Sequence, residues 1–169
     1  TADQLGGDRL DDIGKAEGAG LLRHAGMENH LEEEVAELVL EIDEIAARDA
    51  HPLPAQPYVL TYPMGDGRTV FPVAEAVARA AGLPLYAVSF SLRRHPAVDR
   101  QFRASSPGRF LQLVRGASYV VSNSFHGTAF ALIYRRDFWA CGIPGTGDRI
   151  GSLLRLAGQE LVAEFVLRH

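Results

Sequence analysis

Cysteine, lysine and long apolar runs are almost absent from this sequence of 169 residues. A single cysteine, Cys141, excludes an intramolecular disulfide framework and is typical of a small buried apolar side chain in a reducing compartment. No stretch approaches the roughly 20 apolar residues that a membrane-spanning helix needs. The first ten residues contain neither the apolar segment of a signal peptide nor an initiator methionine. We therefore expect a cytoplasmic chain that has been processed or excised.

The charge balance excludes further classes of partner. The formal net charge is -4, which argues against a general nucleic-acid surface or an anionic membrane surface. Sixteen of the seventeen basic residues are arginine, which indicates a bias of the encoding genome and also suits recognition of phosphate and carboxylate. With 47% hydrophobic residues, the chain is large enough for one globular domain with a buried core.

The first 57 residues differ in character from the rest. Glycine and aspartate dominate residues 1–26, which favours loops with a short helix over residues 16–24. An amphipathic helix follows, beginning near a capping box formed by Asn29 and Glu32. Its apolar positions fall on one face and predict packing on the chain's own domain; they are Leu31, Val35, Leu38, Ile42 and Ile45. Residues 51–57, "HPLPAQP", predict a linker, so we divide the chain into an extension (1–57) and a domain (58–169).

From residue 58 onward, apolar strands alternate with helices. Strands are predicted over residues 58–63, 85–91, 118–124 and 137–143, and helices over 70–82, 106–117, 125–134 and 147–158. Ser106 and Pro107 are typical of a helix start, and Gly82 of a helix end. Continuous apolar strands separated by helices indicate a sheet that is covered on both faces. The predicted fold is a doubly wound α/β domain with a mainly parallel sheet.

The segment "SNSFHGTAF", residues 122–130, lies where the third of these strands gives way to a helix. Ser122 and Ser124 fall at the carboxyl end of the strand, His126 begins the helix, and Gly127 permits close approach of a backbone or a ligand. Helix starts at this edge offer unpaired N–H groups and positive potential, so His126 is placed to hold an anion or to exchange a proton. Position alone leaves a second interpretation open, in which Ser124 caps the helix and His126 bonds a neighbouring loop.

The residues from "ASYVVSNSFHGTAF" to "GDRIGSLLRLAG", together with "YVLTYPMGDG" and "GRFLQLVRGASYVV", resemble the C-terminal lobe of polysaccharide pyruvyl transferases. The resemblance covers approximately residues 58–158 and centres on the Ser-Phe-His-Gly turn. It implies a Rossmann-like lobe of a two-lobe transferase that moves pyruvate from phosphoenolpyruvate onto a glycan as a ketal. The family implies a catalytic role for His126, and Ser122, Ser124 and Gly127 are expected to bind substrate. No cofactor and no metal are expected.

One departure from the family pattern concerns an arginine. Some members have an Arg-Leu-His version of the turn, and Ser124 stands here where that arginine would be. Arg149 begins a helix after the next strand, so we expect it to reach the same sheet edge and to substitute as the donor-binding cation. The alternative for Arg149 is a surface pair with Asp148 or a contact at the helix end.

Residues 1–57 do not resemble the N-terminal lobe of the family, so we expect half of a cleft in this chain. A second lobe or a homo-oligomer is then the expected partner, besides phosphoenolpyruvate and a glycan acceptor, and a monomer of this chain is not expected to catalyse transfer.

Two other classes of function stay open at this point. One is the donor lobe of a nucleotide-sugar glycosyltransferase, and the other is a non-catalytic lobe that binds a ligand or partner through the acidic helix of residues 31–47. "GIPGTGDR" lacks the ending of a P-loop, and the six histidines lack metal-ligand spacing. Residues 91–103 hold four arginines and His95, which predicts a solvated loop or a path for an anionic glycan.

Overall fold

The structure is a computed structural model that describes residues 21–22, 39–103, 105–142 and 149–156. The strands are β1 (Leu21–Leu22), β2 (Val59–Tyr62), β3 (Leu85–Val88), β4 (Arg100–Phe102), β5 (Tyr119–Ser122) and β6 (Asp137–Ala140). The helices are α1, described over residues 39–47, α2 (Phe71–Ala81), α3 (Pro107–Gly116), α4 (Phe125–Ile133) and α5 (Arg149–Leu156).

All six strands form one sheet in the spatial order β1-β6-β5-β2-β3-β4. The five strands from β2 to β6 are parallel to one another, and β1 pairs with β6 in the antiparallel sense. The chain therefore runs outward from β2 to one side of the sheet and returns to build the other side. The predicted doubly wound α/β fold with a mainly parallel sheet is confirmed.

Helices cover the sheet on both faces, and each face has its own apolar cluster. On one face, residues of α1, α3, α4 and α5 pack against Leu60, Val120 and Phe138 of three adjacent strands. On the other face, α2 packs against Val59, Val121 and other strand residues. Side chains alternate between the two faces along each strand, so Val59 and Leu60 enter different clusters. These strands read as continuous apolar runs because both faces are buried.

The helix boundaries follow the predicted signals. The Ser106 side chain accepts a hydrogen bond from the Arg109 N–H at 3.0 Å, and Pro107 is the first helical residue of α3. Helix α2 ends at Gly82, whose φ of 65° lies in the left-handed region and whose N–H bonds the last carbonyls of the helix. Both predicted cap residues are confirmed.

Helix α1 packs into the same core as the strands. Its buried residues are Ile42 and Ala46, whereas Ile45 is 41% exposed. At the C-terminal end of α1 the buried position is therefore Ala46 and not the predicted Ile45. The small Ala46 side chain fits there because the backbones of α1 and α3 approach closely. A Cβ on Gly108 of α3 would lie 2.7 Å from the Ile45 carbonyl oxygen. Residues 29–38, with the predicted capping box, lie outside the described residues. The division of the chain at residue 57 stays a prediction.

Arg109 fastens the segment after α1 to helix α3. Its guanidinium is buried and donates to the carbonyl oxygens of His51 and Pro52, each at 2.8 Å. The guanidinium carbon also lies 5.3 Å from the centre of the Phe102 ring. These contacts hold the start of the predicted linker against the domain.

A second set of polar contacts closes the C-terminal end of α1. The Gln112 amide donates to the carbonyl oxygens of Ala46 and Asp49, each at 2.8 Å, and the Ser106 hydroxyl donates to the Asp49 carboxylate at 2.5 Å. The hydrogen bond from Ser106, followed by that from His51, lowers the pKa of Asp49 to about 2. Together with Arg109, the residues Asp49, Ser106 and Gln112 form what we call the α1–α3 cluster.

Two strands differ from the sequence-based expectation. Residues 21–22 were predicted to be helical but form β1, because pairing with Phe138 and Trp139 of β6 outweighs a weak local preference. Strand β4 lies in the arginine-rich stretch that was predicted to be a loop. It has three residues and, among the described strands, pairs with β3 alone, so it lacks the apolar pattern of a strand buried on both faces.

Within the described ranges, no helix is both long and apolar enough to cross a membrane.

Candidate functional site

The strand order of the sheet reverses direction between the neighbouring strands β2 and β5. These strands are neighbours, yet the chain leaves β2 toward β3 and reaches β5 only after β4 and α3. Tyr62 lies opposite Ser122, and Ser122 lies opposite Ala140, so the carboxyl ends of three strands are level. Open α/β sheets bind ligands in the crevice outside such ends, at the point where the strand order reverses. We call this place the carboxyl edge.

Ser122 ties the ends of the two central strands together. Its buried hydroxyl donates to the Tyr62 carbonyl at 2.7 Å and accepts from the Ser124 N–H at 3.0 Å. Its own carbonyl accepts from the Cys141 N–H at 2.8 Å, which adds the end of β6. The structure therefore gives Ser122, predicted to bind substrate, a role inside the fold.

Asn123 holds the glycine-rich loop after β2 against the end of β5. Its side-chain oxygen accepts from the Met64 N–H at 2.6 Å, and its amide donates to the Met64 carbonyl at 3.1 Å. The residue is 4% exposed. Asn123 is not among the site residues predicted from the sequence, because its partner lies 59 positions earlier and the strand order brings the two together.

The loop held by Asn123 spans residues 63–70 and contains two glycines in the left-handed region. Gly67 has φ 71°, and a Cβ there would lie 2.5 Å from the Phe71 ring and 3.2 Å from Pro63. The Gly67 carbonyl accepts from the N–H groups of Val70 and Phe71, so the loop turns directly into α2. The start of α2 therefore opens onto the carboxyl edge beside the start of α4.

Ser124 and Gly127 build the start of α4. The Ser124 side chain accepts from the Gly127 N–H at 3.5 Å, and its carbonyl accepts from both the N–H and the hydroxyl of Thr128 at 3.0 Å. A Cβ on Gly127 would lie 2.9 Å from the Ser122 Cβ and 3.3 Å from the Tyr62 ring, and closer still to the Ser122 hydroxyl. Glycine thus allows α4 to begin directly on the strand ends, which fixes where residue 126 points.

His126 and Arg149 are both exposed and share one neighbour, Phe125. The rings of His126 and Phe125 meet edge to face with centroids 5.9 Å apart. The Arg149 guanidinium carbon lies 5.2 Å from the centre of the same Phe125 ring. The predicted imidazole and cation are therefore brought together on one aromatic side chain. Asp148, the alternative partner of Arg149, lies outside the described residues.

The carboxyl edge thus has an inner and an outer layer. In the inner layer Ser122, Asn123 and Ser124 are buried and bonded to the fold, and in the outer layer His126 and Arg149 face solvent. An imidazole and a guanidinium beside two helix starts can bind an anion and donate a proton to it.

The single thiol of the chain, that of Cys141, is unreactive. Cys141 follows β6 and is buried, and burial raises the pKa of its thiol to about 12. A thiol with such a pKa stays protonated at neutral pH and so offers little thiolate for nucleophilic attack. In the part of the chain that the structure describes, no group of three histidine, cysteine or acidic side chains is arranged to hold a metal ion.

Comparison with known proteins relates the chain to one family. Neither the curated proteins nor the solved structures gave a match. A sequence model described as "polysaccharide pyruvyl transferase" matches residues 28–143. The match begins before residue 58, where the resemblance was predicted to start, and so includes α1; it contains His126 and ends before Arg149. Because the matched region is more than half of the 169 residues, the chain belongs to the polysaccharide pyruvyl transferase family.

Proposed function

We propose that this chain is the lobe of a pyruvyl transferase that binds phosphoenolpyruvate and places it for transfer to a glycan. The observation that carries the proposal is that His126 and Arg149 both contact the Phe125 ring at the carboxyl edge. Family membership supports the class of reaction, and the exposed imidazole and guanidinium supply groups which that reaction needs.

Phosphoenolpyruvate carries a phosphate and a carboxylate on one enol carbon. Arg149 presents a planar set of N–H donors that matches either anion, and the first turns of α2 and α4 add positive potential. The Arg149 guanidinium carbon lies 5.2 Å from the centre of the Phe125 ring, a contact that leaves its N–H groups for the donor. We assign donor binding to Arg149, with Ser124 and Gly127 shaping the floor of the site and Ser122 fixing that floor to β2.

His126 is assigned as the general acid. It protonates the methylene carbon of the enol, and positive charge develops at the neighbouring carbon, which the first sugar hydroxyl attacks while its proton leaves. Phosphate then departs with the electrons of its C–O bond, and a second sugar hydroxyl adds to the same carbon and loses its proton. The products are a cyclic ketal and one phosphate, so atoms and charge balance. An imidazole suits this task because its charge changes near neutral pH.

The glycan acceptor requires a facing surface. A parallel sheet with one exposed carboxyl edge offers one wall of a cleft, and we propose that a second lobe or a second copy of the chain supplies the other wall. Excluding water from the donor and positioning the hydroxyls both depend on that wall. A monomer of this chain is therefore expected to bind the donor weakly and to release no phosphate from it in the presence of glycans.

A titration separates this function from the alternatives. Phosphoenolpyruvate, a nucleotide sugar and inorganic phosphate are added in turn while thermal stability and heat of binding are measured. We expect phosphoenolpyruvate to bind more tightly than phosphate, because it adds a carboxylate, and we expect no response to the nucleotide sugar. Preference for the nucleotide sugar would contradict the proposal in favour of a glycosyltransferase donor lobe.

Variants then test the assigned residues. Arg149→Gln and His126→Ala should each weaken binding of phosphoenolpyruvate, whereas Arg79→Gln and His51→Gln change exposed residues away from the carboxyl edge and should not. In an assembly with both walls, His126→Ala should lower the rate of ketal formation by about 10²-fold or more. Mass spectrometry of the glycan and phosphate release give the rate. Rapid turnover by a monomer of this chain would show that the second wall is unnecessary.

A further inference from the structure

The connection after β3 exposes large apolar side chains beside the carboxyl edge. Phe90 is 73% exposed and Leu92 is 83% exposed, although both follow the buried strand β3 directly. Strand β3 is two strands away from β5, which is a distance of about 10 Å. A surface that begins at Phe90 is therefore within reach of a short oligosaccharide whose end lies at His126.

The same segment carries an excess of positive charge, although the chain as a whole is acidic. Residues 89–103 contain four arginines and a single carboxylate, that of Asp99. The Asp99 carboxylate accepts from the Leu85 N–H at 2.8 Å, at the start of β3 and thus at the opposite end of the strand from Phe90. Arg100 pairs in register with Tyr86, and Arg94 bonds the Asp99 carbonyl, so both lie toward that same end. Near Phe90 and Leu92 the positive charges of Arg93 and Arg103 are therefore not balanced by an acid of the same segment. We call residues 89–103 the arginine edge.

Hydrogen bonds hold the backbone of the arginine edge in place. The Ser89 N–H donates to the Phe102 carbonyl at 3.1 Å, the Ser91 N–H donates to the Ser89 hydroxyl at 3.1 Å, and the Gln101 amide donates to the Ser91 carbonyl at 2.8 Å. Phe90 and Leu92 thus project from a segment that is tied to β4. A preorganised surface of this kind loses little conformational freedom when it binds a ligand.

The arginines of this edge differ in their partners. Arg103 donates to the Leu92 carbonyl, and Arg94 donates to the Asp99 carbonyl at 2.8 Å. Arg93 is exposed, and among the described residues its side chain makes no hydrogen bond or ion pair. Its guanidinium is free to meet a carboxylate from outside.

We infer that the arginine edge binds the acceptor as an acidic glycan, one with uronic acid residues. The apolar C–H face of a pyranose ring packs on Phe90 and Leu92, while Arg93 and Arg103 pair with ring carboxylates. This inference rests on the proposed function, because it names the acceptor class for the same site. A neutral glycan would contact Phe90 and Leu92 but would offer no carboxylate to the arginines. The excess of positive charge therefore favours an acidic glycan.

The test compares two probes with the same backbone. An oligogalacturonate of defined length is titrated into the chain by calorimetry, and its fully methyl-esterified form, which is neutral, serves as the control ligand. The charged oligomer should bind more tightly, and added salt should narrow the difference because surface charges are screened. Equal affinity of the two probes, or no binding of either, overturns the inference.

Variants locate the binding surface. Arg93→Gln should weaken binding of the charged oligomer about two- to fivefold and leave the ester unchanged. Phe90→Ala should weaken binding of both about three- to tenfold. Arg79→Gln and Leu40→Ala remove an exposed arginine and an exposed leucine elsewhere and should change neither affinity. If the site variants behave like these controls, the inference fails.

The mass of the chain in solution distinguishes a protein partner from a glycan. If Phe90→Ala changes the oligomeric state and leaves oligosaccharide affinity unaltered, the arginine edge is a protein interface and the inference is wrong. The proposed function is tested separately, by measuring the binding of phosphoenolpyruvate. Binding of that donor together with equal affinities for the two probes refutes only the acidic acceptor, whereas selective binding of oligogalacturonate without donor binding refutes the transferase site.

Discussion

The α1–α3 cluster and the carboxyl edge are both rich in polar side chains, yet they use them differently. In the α1–α3 cluster Arg109 and Gln112 have their donors bonded to backbone carbonyls of the same chain. At the carboxyl edge only the inner layer is bonded in this way, and His126 and Arg149 remain exposed. An arginine in this sequence is thus structural or available for ligand according to its neighbours, and its residue type does not distinguish the two.

The largest expected effect on stability lies in the α1–α3 cluster. Arg109→Met removes a buried guanidinium and two charged hydrogen bonds, and should lower the free energy of unfolding by about 3 kcal/mol. Arg115→Met is the matched control in the same helix: its side chain is 57% exposed and pairs with Asp43, so its loss should be below about 1 kcal/mol. Urea denaturation measures both. Equal losses would remove the distinction between buried and exposed arginine.

A methyl group at residue 127 should disturb the carboxyl edge. Gly127→Ala places a Cβ against the Ser122 side chain and the Tyr62 ring, so we expect a loss of about 2 kcal/mol as these atoms shift. At Gly142 an added Cβ meets nothing within 4 Å, so Gly142→Ala serves as control. Unchanged thermal unfolding of Gly127→Ala would show that α4 does not rest on the strand ends as described.

Asn123 should contribute somewhat less. Asn123→Ala removes both hydrogen bonds to Met64 and should destabilise the chain by about 1–2 kcal/mol. Asn123→Asp keeps an acceptor for the Met64 N–H but sets a buried carboxylate against the Met64 carbonyl, so its loss should be at least as large. Hydrogen exchange of the Met64 amide reports the loop directly, and protection that survives Asn123→Ala would contradict the bond.

Asp49 gives the α1–α3 cluster a dependence on acid pH. Because the hydrogen bond from Ser106 lowers its pKa from 3.8 to about 2, ionised Asp49 stabilises the fold above pH 3.8, and this contribution is lost as the pH falls toward 2. Unfolding measured between about pH 2 and pH 5 should therefore show a steeper fall for the native sequence than for Asp49→Asn. Parallel curves would show that Asp49 has the same pKa in the unfolded chain.

The smallest change in stability is expected at the outer layer. Arg149→Gln should alter the free energy of unfolding by less than about 0.5 kcal/mol, because the side chain is exposed. Its affinity for phosphoenolpyruvate should fall at the same time. A loss of stability as large as that of Arg109→Met would mean that Arg149 is also structural, and the comparison between the two regions would fail.

Much of this architecture follows from the sequence because β2, β3, β5 and β6 are apolar runs separated by capped helices. The strands that differ, β1 and β4, lie at the two ends of the sheet, where a strand has one neighbour and its pattern is set by pairing. At the site, the predicted residues fall at one edge, whereas their separation into inner and outer layers depends on contacts such as Ser122 with Tyr62. Such contacts follow from strand order, which a local pattern does not contain.

The central place of β2 in the sheet also fixes an order of events during folding. The hydrogen bond from Ser122 to Tyr62 joins residues 60 positions apart. During synthesis β2 can therefore pair with β5 only after these 60 residues have been added, which takes roughly 3 to 12 seconds at ordinary rates. Contacts so distant in sequence form late, after β2 has paired with β3. Pulsed hydrogen exchange should therefore protect the amides of β3 before those of β5. The carboxyl edge is therefore complete only after β5 has been synthesised and has paired with β2.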